Sequence, residues 1–137
     1  MMDSELINGM RLPARLVVAM ADGTWTAAGG RWKELFPPDE VVRPKLYSLN
    51  LMHQVNEKWR NESHPVFVGV ADDHVTPGKL IPSRSLLIGE LQGDSMIALD
   101  YRQEDEDPSV VFLNLEGRWV EVAASFDEFW LRLFGDE

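Results

Sequence analysis

An α+β fold built on a mostly antiparallel sheet is predicted by three observations on this 137-residue chain. Four apolar segments follow one another between Ser85 and Ala123, joined by connections too short for a crossover helix, so neighbours must pair antiparallel. A segment with helical spacing, Ser125 to Phe134, comes directly after them. A second one, Leu49 to Arg60, comes well before them.

Taken in order, Glu5–Ile7 reads as the end of a helix, and Asn8-Gly9 as a turn. Leu12, Leu16, Ala19 and Met20 keep helical spacing, with Pro13 suited to the first helical position and Asp22-Gly23 to the stop. Residues 24–30, ending in two glycines, read as loop, and Arg31–Phe36 as a short strand or a single turn before Pro37-Pro38. Ser48 is a good N-cap for residues 49–60. On that helix Leu51, Met52, Val55 and Trp59 make an apolar stripe, while Gln54, Glu57, Lys58 and Arg60 take the wet side. Val66–Val70, rich in β-branched residues, reads as a buried strand. Residues 71–84 are irregular, punctuated by Pro77-Gly78 and Pro82.

In the sheet region, Ile97, Leu99 and Tyr101 alternate with Met96, Ala98 and Asp100, and Val111, Leu113 and Leu115 with Val110, Phe112 and Asn114. Both faces are partly apolar, which predicts central strands covered by helices. Ser125 and Glu128 have the spacing of a capping box. Phe126, Phe129, Trp130, Leu133 and Phe134 then form an aromatic face that must pack on the sheet, and Gly135 stops the helix.

Length and a hydrophobic content of 45% suit one domain spanning residues 1–137 with a core of its own. The absence of cysteine excludes disulfides, thiolate metal sites and cysteine nucleophiles. Residues 1–5 have no basic and apolar leader pattern, and no window reaches the roughly 20 apolar residues of a membrane span, so a cytoplasmic protein is expected. The net charge of −10 is unevenly placed. Residues 1–70 hold eight cations and eight anions, and residues 71–137 hold five and fifteen. Such a field repels nucleic acid and anionic membranes and draws a basic partner.

Catalytic patterns are sparse. His53, His64 and His74 share no ligand spacing, and Asp72-Asp73-His74 has no further ligand pattern to complete a metal site. Gly78-Lys79 lacks the glycine spacing and hydroxyl of a phosphate loop. Glu104–Asp107 lacks the glycine turn and alternating ligands of a calcium loop and reads as a solvated hairpin tip. No G-x-S-x-G elbow is present. The expectation is a protein without enzymatic activity, metal or cofactor.

Three stretches, in order and covering nearly the whole chain, resemble the SUKH superfamily, which includes fungal cell-wall assembly regulators and bacterial immunity proteins. Gly9-Met10-Arg11-Leu12-Pro13, with its helix and Asp22-Gly23, is similar to the family's G-x-x-L-P opening. Leu46-Tyr47-Ser48-Leu49 leads into a helix ending near Trp59-Arg60. Gly93-Asp94-Ser95, an acidic connection, Leu113-Asn114-Leu115 and Ser125-Phe126-Asp127-Glu128-Phe129 are similar to the family's C-terminal half. Members usually carry a fuller helix before that first glycine, where eight residues stand here. The resemblance implies an α+β domain whose antiparallel sheet, of about five to six strands, is flanked by helices. It implies structural roles for the matched residues: Leu12 and Pro13 start a helix, Gly93 and Asp94 make a turn, and Phe126 and Phe129 fill the core.

Joined to the charge asymmetry, the resemblance implies an immunity-type module that neutralises a basic, nuclease-type toxin. The expected contact residues are Asp72, Asp73, Asp94, Glu104, Asp105, Glu106 and Asp107. A regulatory scaffold akin to the cell-wall regulators is the alternative. A small-ligand binder or enzyme, using a pocket between the sheet and the Trp25 and Trp32 loops, is the remote one.

Overall fold

Residues 6–25, 44–71, 73–74, 77–91, 95–102, 107–114 and 116–134 are described by a computed structural model. The N-terminal hairpin pairs β1 (Leu6–Ile7) with β2 (Met10–Arg11). Its two-residue loop is Asn8-Gly9, both at positive φ (54° and 82°), the conformation that matches the twist of a tight hairpin. The helix end expected at residues 5–7 is therefore a strand at Leu6–Ile7, because this dipeptide turn folds the chain straight back on itself. Pro13 is the N-cap residue of α1 (Ala14–Ala21), one position before the first helical turn.

β3 (Lys45–Leu46) precedes α2 (Leu49–Trp59), where the Ser48 hydroxyl accepts a hydrogen bond from the Leu51 amide as its N-cap. Next comes α3 (Pro65–Val68), a short helix where a strand was expected. Two local signals outweigh the β-branched composition. His64 Nδ1 accepts from the Val66 amide as an N-cap, and Pro65 occupies the first turn with its φ already helical. Gly69, at φ 85°, ends the helix, and among the described residues this stretch pairs through a bridge from Gly69 to Lys79.

β4 (Pro77–Gly78) and a 3₁₀ turn (Pro82–Arg84) lead to the meander β5 (Ser85–Glu90), β6 (Met96–Asp100), β7 (Ser109–Leu113) and β8 (Trp119–Ala123). The six-stranded sheet has the order β3-β5-β6-β7-β8-β4 with every pairing antiparallel. α4 (Phe126–Phe134) closes the described chain. The Glu128 amide donates to Ser125 Oγ at 3.1 Å, as expected of a capping box, while the Glu128 carboxylate reaches the Ala124 amide rather than that of Ser125. The stretch Arg31–Phe36, the turn at Gly93-Asp94 and the stop at Gly135 lie outside the described residues.

Register separates the two faces of the sheet. Leu86, Leu99, Val110 and Ala123 lie in one row, and Leu87, Ala98, Val111 and Glu121 in the opposite one. The first face carries Tyr101, whose hydroxyl donates to the Arg11 carbonyl, and it meets the hairpin, α1 and α4. Phe126, Phe129 and Leu133 are fully buried there, Trp25 packs against Phe126 at 6.1 Å, and Arg15 bridges from α1 to Asp127 of α4. The second face meets α2 and α3. Apolar material on both sides of β6 and β7 is thus explained by helices on both sides.

Candidate functional site

Of the seven acidic residues expected to meet a partner, Asp73 and Asp107 are described, and both are exposed. Asp72, Asp94, Glu104, Asp105 and Glu106 lie outside the described residues. The strands fix where the connections begin. The connection bearing Asp94 starts where Leu91 donates to the Ser95 carbonyl, at one end of β6. The connection bearing Glu104–Asp107 leaves from Tyr101 at the other end, about 15 Å away for a five-residue strand. β4 runs antiparallel to β8 with Pro77 opposite Val120, so the turn holding Asp73 heads for the same end of the sheet as Asp107.

Two cations at this end contact the strand ends. Arg102 grips Asp100 through Nε and Nη2 (2.8–3.2 Å), and Arg84 Nη2 donates to the Tyr101 carbonyl at 2.7 Å.

A second feature lies on the face that meets α2. A groove of about 990 Å³ runs between the second half of α2, α3 and the sheet. Leu51, Val55, Trp59, Phe67, Leu87 and Met96 supply its apolar surface, and Gln54 and Lys58 stand along the outer side of α2. Two indoles brace it. Trp59 Nε1 donates to Ser85 Oγ, Trp119 Nε1 donates to the Phe67 carbonyl, and the two rings lie 6.1 Å apart.

What holds α2 in place is Asn56, fully buried although polar. Its Oδ1 accepts from the Leu87 amide at 2.7 Å, and its Nδ2 donates to the Leu87 and Met52 carbonyls at 2.8 Å. β3 pairs with β5 at Gly89 and Glu90, so among the described residues no strand lies beside the Leu87 edge. The Asn56 side chain takes that strand's place and also blocks the edge to other chains. Sequence reasoning passed over this residue. A signal existed: Met52, Asn56 and Trp59 stand at i, i+4 and i+7, which puts an amide on the buried side of the helix.

Among the described residues no group of three or more His, Asp or Glu side chains gathers in metal-holding geometry. Trp25 is buried against Phe126, which fills its side of the small-ligand pocket expected near Trp25 and Trp32; Trp32 lies outside the described residues. Two tyrosine hydroxyls are shifted above their ordinary range. Burial raises Tyr47, with the Glu90 carboxylate that accepts its hydrogen bond adding to the effect, and burial alone raises Tyr101. The fold favours the neutral phenol, so this stability is complete below about pH 10 and is lost as pH climbs above it. Ultraviolet titration should therefore show both tyrosines ionising only as the protein unfolds in alkali. Ionisation of either at about pH 10 with intact circular dichroism would contradict it.

Among the described residues no helix is long and apolar enough to cross a membrane. A family model described as SMI1 / KNR4 family (SUKH-1) matches residues 5–132. No curated protein and no solved structure gives a match.

Proposed function

The chain belongs to the SMI1/KNR4 family (SUKH-1), and from that premise we propose that it is an immunity protein which binds and neutralises a basic toxin domain. Membership supports a non-catalytic immunity or regulatory domain in general terms. The observation that carries the finer reading is the placement of charge: residues 71–137 hold fifteen acids against five bases. One of those bases, Arg102, is already ion-paired with Asp100.

An acidic surface fits a cleft built to hold phosphates, as in a nuclease. Complementary charge of this kind acts chiefly on the association rate and is weakened by salt. The contact residues in this reading are Asp72, Asp73, Asp94 and Glu104–Asp107, with Asp73 and Asp107 at one end of the sheet as its nucleus.

Affinity purification from the native cell at low and high salt is the direct test. One stoichiometric basic partner, retained at low salt and shed at high salt, is the expected result. A set of weaker partners without salt dependence would favour a regulatory scaffold instead. Reversing the four charges at residues 104–107 should slow association at least about ten-fold at low ionic strength. An unchanged rate would remove the acidic connection from the interface.

A further inference from the structure

We propose that Asn8-Gly9 is a self-modifying site: in the folded protein Asn8 loses its side-chain nitrogen as ammonia, and the carboxylate that replaces it unties the N-terminal hairpin from α2. The sequence singles out this dipeptide. Of the five asparagines only Asn8 is followed by glycine, while the others precede Leu51, Glu57, Glu62 and Leu115. Glycine has no Cβ to shield its amide nitrogen, which is the nucleophile of the reaction.

The step balances within the chain and one water. The Gly9 backbone nitrogen attacks Asn8 Cγ, so that a C–N bond forms as the Cγ–Nδ2 bond breaks. The proton of the Gly9 amide leaves with Nδ2 as ammonia. Water then opens the cyclic imide at either carbonyl to give aspartate or isoaspartate, and nothing is oxidised or reduced. Both products carry one more negative charge than the parent chain.

The fold gives the reaction both room and a consequence. Gly9 is exposed, Asn8 is half-buried, and the flanking strands β1 and β2 are two residues long. Pairing this short opens locally far more readily than the core does. Asn8 Nδ2 donates to the Asn56 carbonyl at 2.9 Å, which ties the hairpin to the residue of α2 whose side chain clasps Leu87. Nδ2 is the atom that departs, so the reaction itself breaks this bond. Until it does, the bond slows ring closure. Afterwards a carboxylate faces the Asn56 carbonyl, and both groups only accept. Isoaspartate also adds a methylene to the backbone of a loop that closes in two residues.

The test incubates the full chain in mild alkali, folded and in urea, and follows the mass of each asparagine-bearing peptide. In the folded chain Asn8 should be the first to gain the roughly one dalton of amide-to-acid conversion. It should do so at least about five-fold more slowly than in urea, the factor for one hydrogen bond lost on ring closure. Ion exchange then separates the converted chain by its added charge. In it the amides of Ile7 and Met10, opposite each other in the hairpin, should exchange with deuterium at least about five-fold faster. The Leu87 amide, held by the Asn56 side chain, should keep its protection. Asn8→Asp should show the same pattern without incubation. Any of three results would overturn the proposal: no conversion at Asn8 in the folded chain over about a hundred half-times of the unfolded one, conversion as fast folded as in urea, or unchanged hairpin protection in the converted chain. The unaltered chain supplies all three readouts, so the decision stands even if the variant folds poorly.

Discussion

Asn56→Ala is expected to lower the unfolding free energy by about 3 kcal/mol, a large share of the roughly 5–15 kcal/mol that holds a domain of this kind together. The loss does not come from a missing contact alone. With the amide gone, the Leu87 N–H and C=O are left in a buried site with no partner, and each such orphan costs about 1–3 kcal/mol. Asn56→Asp separates shape from chemistry. It keeps an oxygen for the Leu87 amide but turns a second oxygen toward the Leu87 and Met52 carbonyls, where a donor is required. A carboxyl in that site is protonated more readily than in water, so its folded-state pKa lies above its unfolded one. The variant should therefore gain stability as pH falls, opposite to the usual acid behaviour. Urea unfolding of both variants at several pH values measures this, and size-exclusion chromatography shows whether the uncovered β5 edge now pairs with other chains. An Asn56→Ala variant as stable as the parent would show that the clasp contributes nothing net.

How much of this was legible in the sequence depends on the range of the interaction. The meander at residues 85–123 and the capped aromatic helix were readable because short turns, alternation and the Ser125/Glu128 spacing are local facts, and the order of pairing follows from them. The burial of Phe126 and Phe129 was implied by the family resemblance and by helical spacing, and both are fully buried. Composition misled at residues 65–68. The three β-branched valines of Val66–Val70 suggest a strand, yet a histidine cap and a proline settle the backbone as a helix at residues 65–68. The groove was invisible because it depends on which helix faces which strand. Its key is Asn56, a polar residue whose purpose appears only when the bare edge of β5 is placed beside it. The acidic connection was read from charge alone, and the flanking strands add where it begins rather than what it touches.

Gly69→Ala should be the other severe substitution, and Gly9→Ala is its natural control. Both glycines sit at positive φ, 85° and 82°, so each variant bears the strain of an L-residue there, about 1–2 kcal/mol. At Gly9 a Cβ meets open space, and that strain is the whole effect. At Gly69 a Cβ would overlap the Gly78 carbonyl oxygen and lie 2.7 Å from Trp119 Cδ1. A backbone oxygen held in the β4–β8 pairing cannot swing aside as a flexible side chain would. Overpacking of this sort adds about 1–3 kcal/mol, and ψ of −175° at this positive φ is a region essentially reserved for glycine. A total near 4 kcal/mol is therefore expected for Gly69→Ala, two or more times the cost at Gly9. Relief could come only by moving α3 away from β8, which breaks the hydrogen bond from Trp119 to Phe67 and opens the groove at its α3 wall. Denaturant midpoints give the two energies, and tryptophan emission reports the second consequence: a red shift in Gly69→Ala with none in Gly9→Ala. Equal losses from the two variants would mean that backbone strain alone accounts for Gly69, and that α3 does not depend on this close approach for its seat against the sheet.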